Sequence, residues 1–248
     1  MEQIKKRYNL IDSVRGLAII NMVLFHMIYD LVRIFKVNIQ WFSGYGAYIW
    51  EQFICITFIL ISGISWHFSR HNLRRGIIVF ACGCGITLFT YLFMPEEFIW
   101  FGILNLLGSA MLITILLDKP FKKINPIAGL IISILIFVVT KGVSHKFIGI
   151  LGVSLLNLPD FLYSNSLFAF MGFPGSGFYS SDYFPLIPWL FLYFTGYFLW
   201  RIIKNTKAES SMLIKIPILN VIGKYSLIIY IVHQPVIYGI LYLIFNFK

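Results

Sequence analysis

Nearly unbroken runs of apolar residues occupy 10–34, 47–68, 76–94, 98–117, 126–140, 185–203 and 218–245, separated by short polar or basic intervals. Most come close to the roughly 20 residues that a helix needs to cross a hydrocarbon core of about 30 Å. No water is available at that depth, so a spanning segment must satisfy its own backbone N–H and C=O groups, and it does so as a helix. The pattern predicts an all-α integral membrane protein, a single domain over 1–248 built as a bundle of about seven transmembrane helices. The interval 141–184 breaks the pattern. It is punctuated by Gly142, Gly149, Gly152, Pro159, Gly172, Pro174, Gly175 and Gly177, and its apolar pieces are too short or broken to read as spans, which leaves a re-entrant or short helix open. As the one long connection, its part 158–184 is expected to fold as a lid on the outer side.

Composition agrees with this picture. The 248 residues are 59% hydrophobic and 12% charged, whereas a soluble domain carries about 25% charge. The formal net charge of +10 does not imply nucleic acid, because the basic residues sit in short clusters between apolar runs. These are Lys5, Lys6 and Arg7; Arg70, Arg74 and Arg75; Lys119, Lys122 and Lys123; and Arg201, Lys204, Lys207 and Lys215. With seven spans all four clusters fall on one side, so the positive-inside rule places them, and the N-terminus, in the cytoplasm. The opposite connections hold Arg33, Lys36, Lys141 and Lys146 together with the acidic Glu96, Glu97, Asp160 and Asp182. Cys55, Cys82 and Cys84 lie within apolar runs and indicate neither a disulfide framework nor a metal site.

Ionisable residues stand where lipid disfavours them. On a helix, Arg15, His26 and Arg33 fall within about 20° of one another, with Asp12 and Asp30 about 60° round. Such groups normally face a bundle interior or a water-filled cavity. Asp12 and Arg15, three apart, also suit a simple interfacial ion pair. The last run contributes His233, followed by Gln234 and Pro235, and Glu51 opens the second run from the outer side. Each also suits a structural role, His233 as a hydrogen-bonded core residue and Glu51 as a solvated helix end.

Four segments carry a family resemblance. They are Asn9-Leu-Ile-Asp12-Ser-Val-Arg15-Gly16 leading to Val23-Leu-Phe-His26, Phe101-Gly-Ile-Leu-Asn-Leu-Leu-Gly108, Asp182-Tyr-Phe-Pro-Leu-Ile-Pro-Trp189, and Ile222-Gly-Lys-Tyr-Ser-Leu-Ile-Ile-Tyr-Ile-Val-His233-Gln-Pro235. In this order they resemble small bacterial transmembrane acyltransferases related to the catalytic domain of heparan-alpha-glucosaminide N-acetyltransferase. The spacing from Arg15 to His26 also resembles the first-helix motif of membrane O-acetylases. Two departures stand out. Residues 31–50 hold no histidine, where the larger enzymes resemble one another in having a catalytic one, and Asn105 stands where many small relatives have a histidine in the fourth helix.

The resemblance implies transfer of an acyl group, acetyl above all, from cytoplasmic acyl-CoA to an extracytoplasmic sugar or lipid-linked glycan, by a multi-pass protein of the plasma membrane that uses acetyl-CoA as co-substrate and no metal. By position it makes His26 the base; on chemical grounds Asp30, four residues on, or Glu51 is expected to orient it, and His233 or Asn105 to stabilise the oxyanion. Asp12, Arg15, Arg70, Arg74 and Arg75 bind the donor, and Asp182 binds the acceptor. A proton-coupled transporter or flippase is the competing class, since buried ionisable groups serve a proton relay equally well. A seven-helix protein without chemistry is the third.

Overall fold

The computed structural model describes residues 7–150 and 152–246, the side chain of Asn246 excepted. Lys5 and Lys6, which enter the charge pattern, lie outside the described residues. Among the described residues, seven helices are long and apolar enough to cross a membrane. The chain is thus an all-α multi-pass membrane protein. We label its helices α1 (Asn9–Arg33), α2 (Tyr45–Ser65), α3 (Asn72–Phe93), α4 (Ile103–Lys123), α5 (Pro126–Val139), α6 (Leu186–Ile203), α7 (Lys207–Ser211), α8 (Pro217–Lys224) and α9 (Ser226–Asn246), with strands β1 (Phe147–Ile150) and β2 (Val153–Asn157) between α5 and α6.

Two expected spans differ from the observed helices. The fourth begins at Ile103 rather than near 98, because Phe101 adopts a left-handed φ of 59° and Gly102 is extended, and apolarity alone does not reveal such a turn. The last run is two helices, since Tyr225 interrupts it between α8 and α9. His233 therefore lies seven residues past the start of its own helix, not the fifteen that a single helix from 218 implies. The open question in 141–184 resolves into an antiparallel pair, β1 with β2, and short 3-10 turns at Asp160–Tyr163 and Ser166–Met171.

The chain forms two compact units, Met1–Ile61 with Ile203–Lys248, and Ser62–Ile202. In the first, α1 packs against α8 and α9. The contact with α8 is made by glycine against backbone: a methyl on Gly16 would lie 2.0 Å from the Leu219 carbonyl oxygen, and one on Gly223 would lie 1.7 Å from that of Asp12. Asn220 secures the same crossing by donating to the Asn9 carbonyl at 3.0 Å. Beyond it Ile19, Met22 and Ile54 form a buried cluster flanked by Val23, Phe25, Trp50, Phe58, Ile222, Ile229 and Tyr230. The Trp50 indole fixes α2 to α1 by donating to Asn21 Oδ1 at 2.9 Å.

In the second unit α3 and α4 pack closely, again through small residues: a methyl on Gly108 would meet Phe80 at 2.6 Å. Asn125 caps α5 by accepting from the backbone of Ile127 and Ala128, and Pro126 starts the helix where no N–H partner is needed. Arg201 of α6 donates to the carbonyls of Phe121 (2.5 Å), Ile124 (3.1 Å) and Lys122 (3.2 Å). A guanidinium there satisfies the orphan carbonyls at the end of α4 and complements the negative end of its dipole.

The expected lid segment is stitched into this unit. Ser181 N donates to Phe98 O and Phe184 N to Phe101 O, both at 2.9 Å. The Lys146–Asp160 ion pair at 2.6 Å closes the base of the β1–β2 hairpin, and Lys146 holds the Asp160 carboxyl below its ordinary range.

Candidate active site

The stripe along α1 is assembled from its inner end outward. Asp12 lies between two guanidinium groups, Arg15 at 2.9 Å and Arg7 at 2.8 Å. Arg15 and Asp12 are both largely buried side chains. An arginine in such a position keeps its charge and demands a partner, which Asp12 provides three residues away on the same face. The Gly16–Gly223 crossing lies one residue further along, so the ion pair and the α1–α8 contact share one turn of helix.

About three turns on, His26 meets His233. Their ring centroids are 4.9 Å apart with the planes at 72°, an edge-to-face arrangement. Each ring is held by its own helix: His26 Nδ1 bonds the Met22 carbonyl at 3.0 Å and His233 Nδ1 bonds the Tyr230 carbonyl at 2.6 Å. A carbonyl oxygen only accepts, so the Nδ1 of each neutral ring is assigned the proton. Each Nε2 then carries the lone pair and has the character of a base. His233 is 8% exposed, and its Nε2 is buried with no hydrogen-bond partner among the described residues.

Asp30, 0% exposed, accepts from Gln234 Nε2 at 2.7 Å. This ties the carboxylate to the residue next to His233. The group that orients His26 through Nδ1 is the Met22 carbonyl, one turn back on α1, whereas the side chain of Asp30 turns towards α9. Glu51 is exposed on α2, next to the anchored Trp50. Gln234 is the site residue for which sequence reasoning found no role; a polar side chain beside a histidine in an apolar helix was the available signal. Pro235 leaves α9 continuous from Ser226 to Asn246.

The remaining candidates belong to the second unit. Asn105 is buried in the first turn of α4, where its Nδ2 lies 3.6 Å from Cys84 Sγ and its side chain packs on Gly83. Asn105 Oδ1 has no hydrogen-bond partner among the described residues. Arg70 precedes α3 and Arg74 and Arg75 stand in its first turn, all three exposed. Asp182 is partly buried beside Gly102, where an added methyl would lie 3.3 Å from Asp182 Oδ2. His67, given no chemical role by its sequence context, bonds the Tyr197 carbonyl of α6 at 3.0 Å.

In chemical terms, the first unit brings together two imidazoles with matched tautomers, a buried carboxylate tied to the second of them through Gln234, and an ion pair at the other end of the same helix. The arrangement suits proton transfer. In comparisons with known proteins, residues 7–235 match the family described as "Heparan-alpha-glucosaminide N-acetyltransferase, catalytic". No curated protein and no solved structure matches the chain.

Proposed function

Because the chain belongs to the heparan-alpha-glucosaminide N-acetyltransferase catalytic family, a family of membrane acetyltransferases, we propose that it moves an acetyl group from cytoplasmic acetyl-CoA to a hydroxyl or amino group of an extracytoplasmic sugar or lipid-linked glycan. The observation that carries this reading is the His26–His233 pair, with each Nδ1 engaged by a backbone carbonyl and each Nε2 left as the basic atom.

In the proposed reaction His26 Nε2 takes the proton of the acceptor O–H or N–H as that atom attacks the thioester carbonyl. The carbonyl π electrons move to oxygen, then return as the C–S bond breaks, and the imidazolium returns the proton to the departing CoA thiolate. His233 holds the second ring edge-on to His26, and Asp30 with Gln234 holds the part of α9 that carries His233. Arg15 receives donor phosphate through charge-assisted hydrogen bonds. The N-terminus lies in the cytoplasm, as the distribution of basic clusters supports, and the proposed setting is the plasma membrane.

Two measurements test the donor side. Purified protein in nanodiscs should bind CoA by calorimetry, and a proton-coupled transporter with the same buried groups should bind none. Arg15→Ala should raise KM for acetyl-CoA about tenfold or more, since losing a charge-assisted contact costs about 1.5–3 kcal/mol. An unchanged KM would make Arg15 purely a partner for Asp12.

A further inference from the structure

The stretch before α4 is unusual in backbone and in side chains. Phe101 is a bulky residue at a left-handed φ of 59°, a conformation that costs free energy and persists only where the surroundings enforce it. Here they do. Trp100 N donates to Ser180 Oγ at 2.9 Å, and the backbone bonds from Ser181 to Phe98 and from Phe184 to Phe101 clamp both sides. The consequence is a group of three adjacent rings, stacked in two of their pairs and tilted in the third. Trp100 and Phe101 stack with centroids 5.3 Å apart at 26°, Phe101 and Phe178 lie at 11°, and Trp100 and Phe178 at 32°. Trp100 remains 39% exposed. The Asp182 carboxylate sits next to Gly102, the residue following Phe101.

We propose that Trp100, backed by Phe101 and Phe178, is a stacking platform for the pyranose ring of the acceptor, with Asp182 at its rim accepting hydrogen bonds from the sugar. This inference rests on the acceptor side of the reading above. The C–H face of a gluco-configured pyranose is apolar and flat, and the negative face of an indole matches its weakly positive hydrogens. A carboxylate has room for several hydrogen bonds, so it serves hydroxyl or ammonium groups at the edge of the ring. The hydrogen-bonded clamp sets the platform before ligand arrives, which keeps the ordering cost of binding low. Interfacial tryptophans are common in membrane proteins and anchor the chain at headgroup level. A lipid anchor, however, needs neither a strained backbone turn nor a tryptophan stacked on a phenylalanine with a carboxylate at the adjoining glycine.

The test uses full-length protein in nanodiscs with methyl β-glucosaminide and methyl β-glucoside as probes. Binding is followed by saturation-transfer NMR without any donor, and KM values for sugar and for acetyl-CoA are measured separately. Trp100→Ala should weaken sugar binding and raise the sugar KM about tenfold while leaving KM for acetyl-CoA unchanged. Trp100→Phe, which keeps a ring, should recover most of the loss and shows that the alanine result is not misfolding. If the sugar binds through Trp100 but is never acetylated, the platform stands and the transfer reading fails. If the sugar is acetylated with the same KM in Trp100→Ala, or if neither sugar binds the wild-type protein, the platform is overturned and Trp100 is an interfacial anchor.

Discussion

Replacing His26 by alanine is expected to lower acetyl transfer by about a hundredfold to ten-thousandfold, the range in which a positioned acid–base group contributes. That loss corresponds to about 3–5 kcal/mol in the barrier. Alanine removes both the basic Nε2 and the ring that meets His233 at 4.9 Å, so a second variant is needed to separate chemistry from packing. His26→Gln keeps a polar side chain that can reach the Met22 carbonyl but cannot take a proton at neutral pH, and it should lose the same activity. His233→Ala should also be impaired. If the two rings act as a unit, the double variant should be scarcely worse than His26→Ala alone. Calorimetric CoA binding should survive in all of them, because the donor groups lie elsewhere in the chain. Full transfer by His26→Gln would remove His26 from the chemistry and leave it as a packing residue.

The second large effect is expected at Gly223. A methyl there would sit 1.7 Å from the Asp12 carbonyl oxygen and 2.9 Å from Gly16 N, and both obstacles are backbone, which cannot rotate aside. Helices α1 and α8 would have to separate, at a cost at or above the usual 1–3 kcal/mol of overpacking. For a chain of this size the unfolding midpoint should drop by roughly 5–10 °C. Because Asp12 carries the obstructed carbonyl and also pairs with Arg15, Gly223→Ala should weaken donor use along with stability. Gly239→Ala is the matched control. It lies on α9 with nothing within 4 Å of an added methyl, and alanine is the better helix former there by about 1 kcal/mol, so its midpoint should stay or rise. Equal behaviour of the two variants would show that the α1–α8 crossing is looser than its geometry.

The membrane character and the number of spans were legible because hydrocarbon imposes a simple rule, long apolar runs closed as helices. The stripe on α1 was legible for the same reason, since a 3.6-residue period places Arg15 and His26 on one face whatever they do. The interruption at Tyr225 was not. Ile222 to Val232 reads as one largely apolar stretch with Lys224 and Ser226 as its polar members, and nothing in it announces that α8 ends at Lys224. Nor was the hairpin of β1 and β2, whose nine residues are apolar enough to pass for a broken span. The pairing of His26 with His233 joins residues 207 positions apart, so no local period could reveal it, although the two motifs that carry them were recognisable one at a time. A separation of 204 residues likewise hid the bond from Gln234 to Asp30.

The most direct test of the central claim is acetyl transfer across a sealed membrane. The protein is reconstituted into vesicles with methyl β-glucosaminide inside and labelled acetyl-CoA outside, and labelled acetyl sugar is measured in the lumen for wild type and His26→Gln. The account predicts label on the trapped sugar with the wild-type protein and almost none with the variant. Label appearing equally with both proteins, or none with the wild type while intact donor is bound, would contradict it.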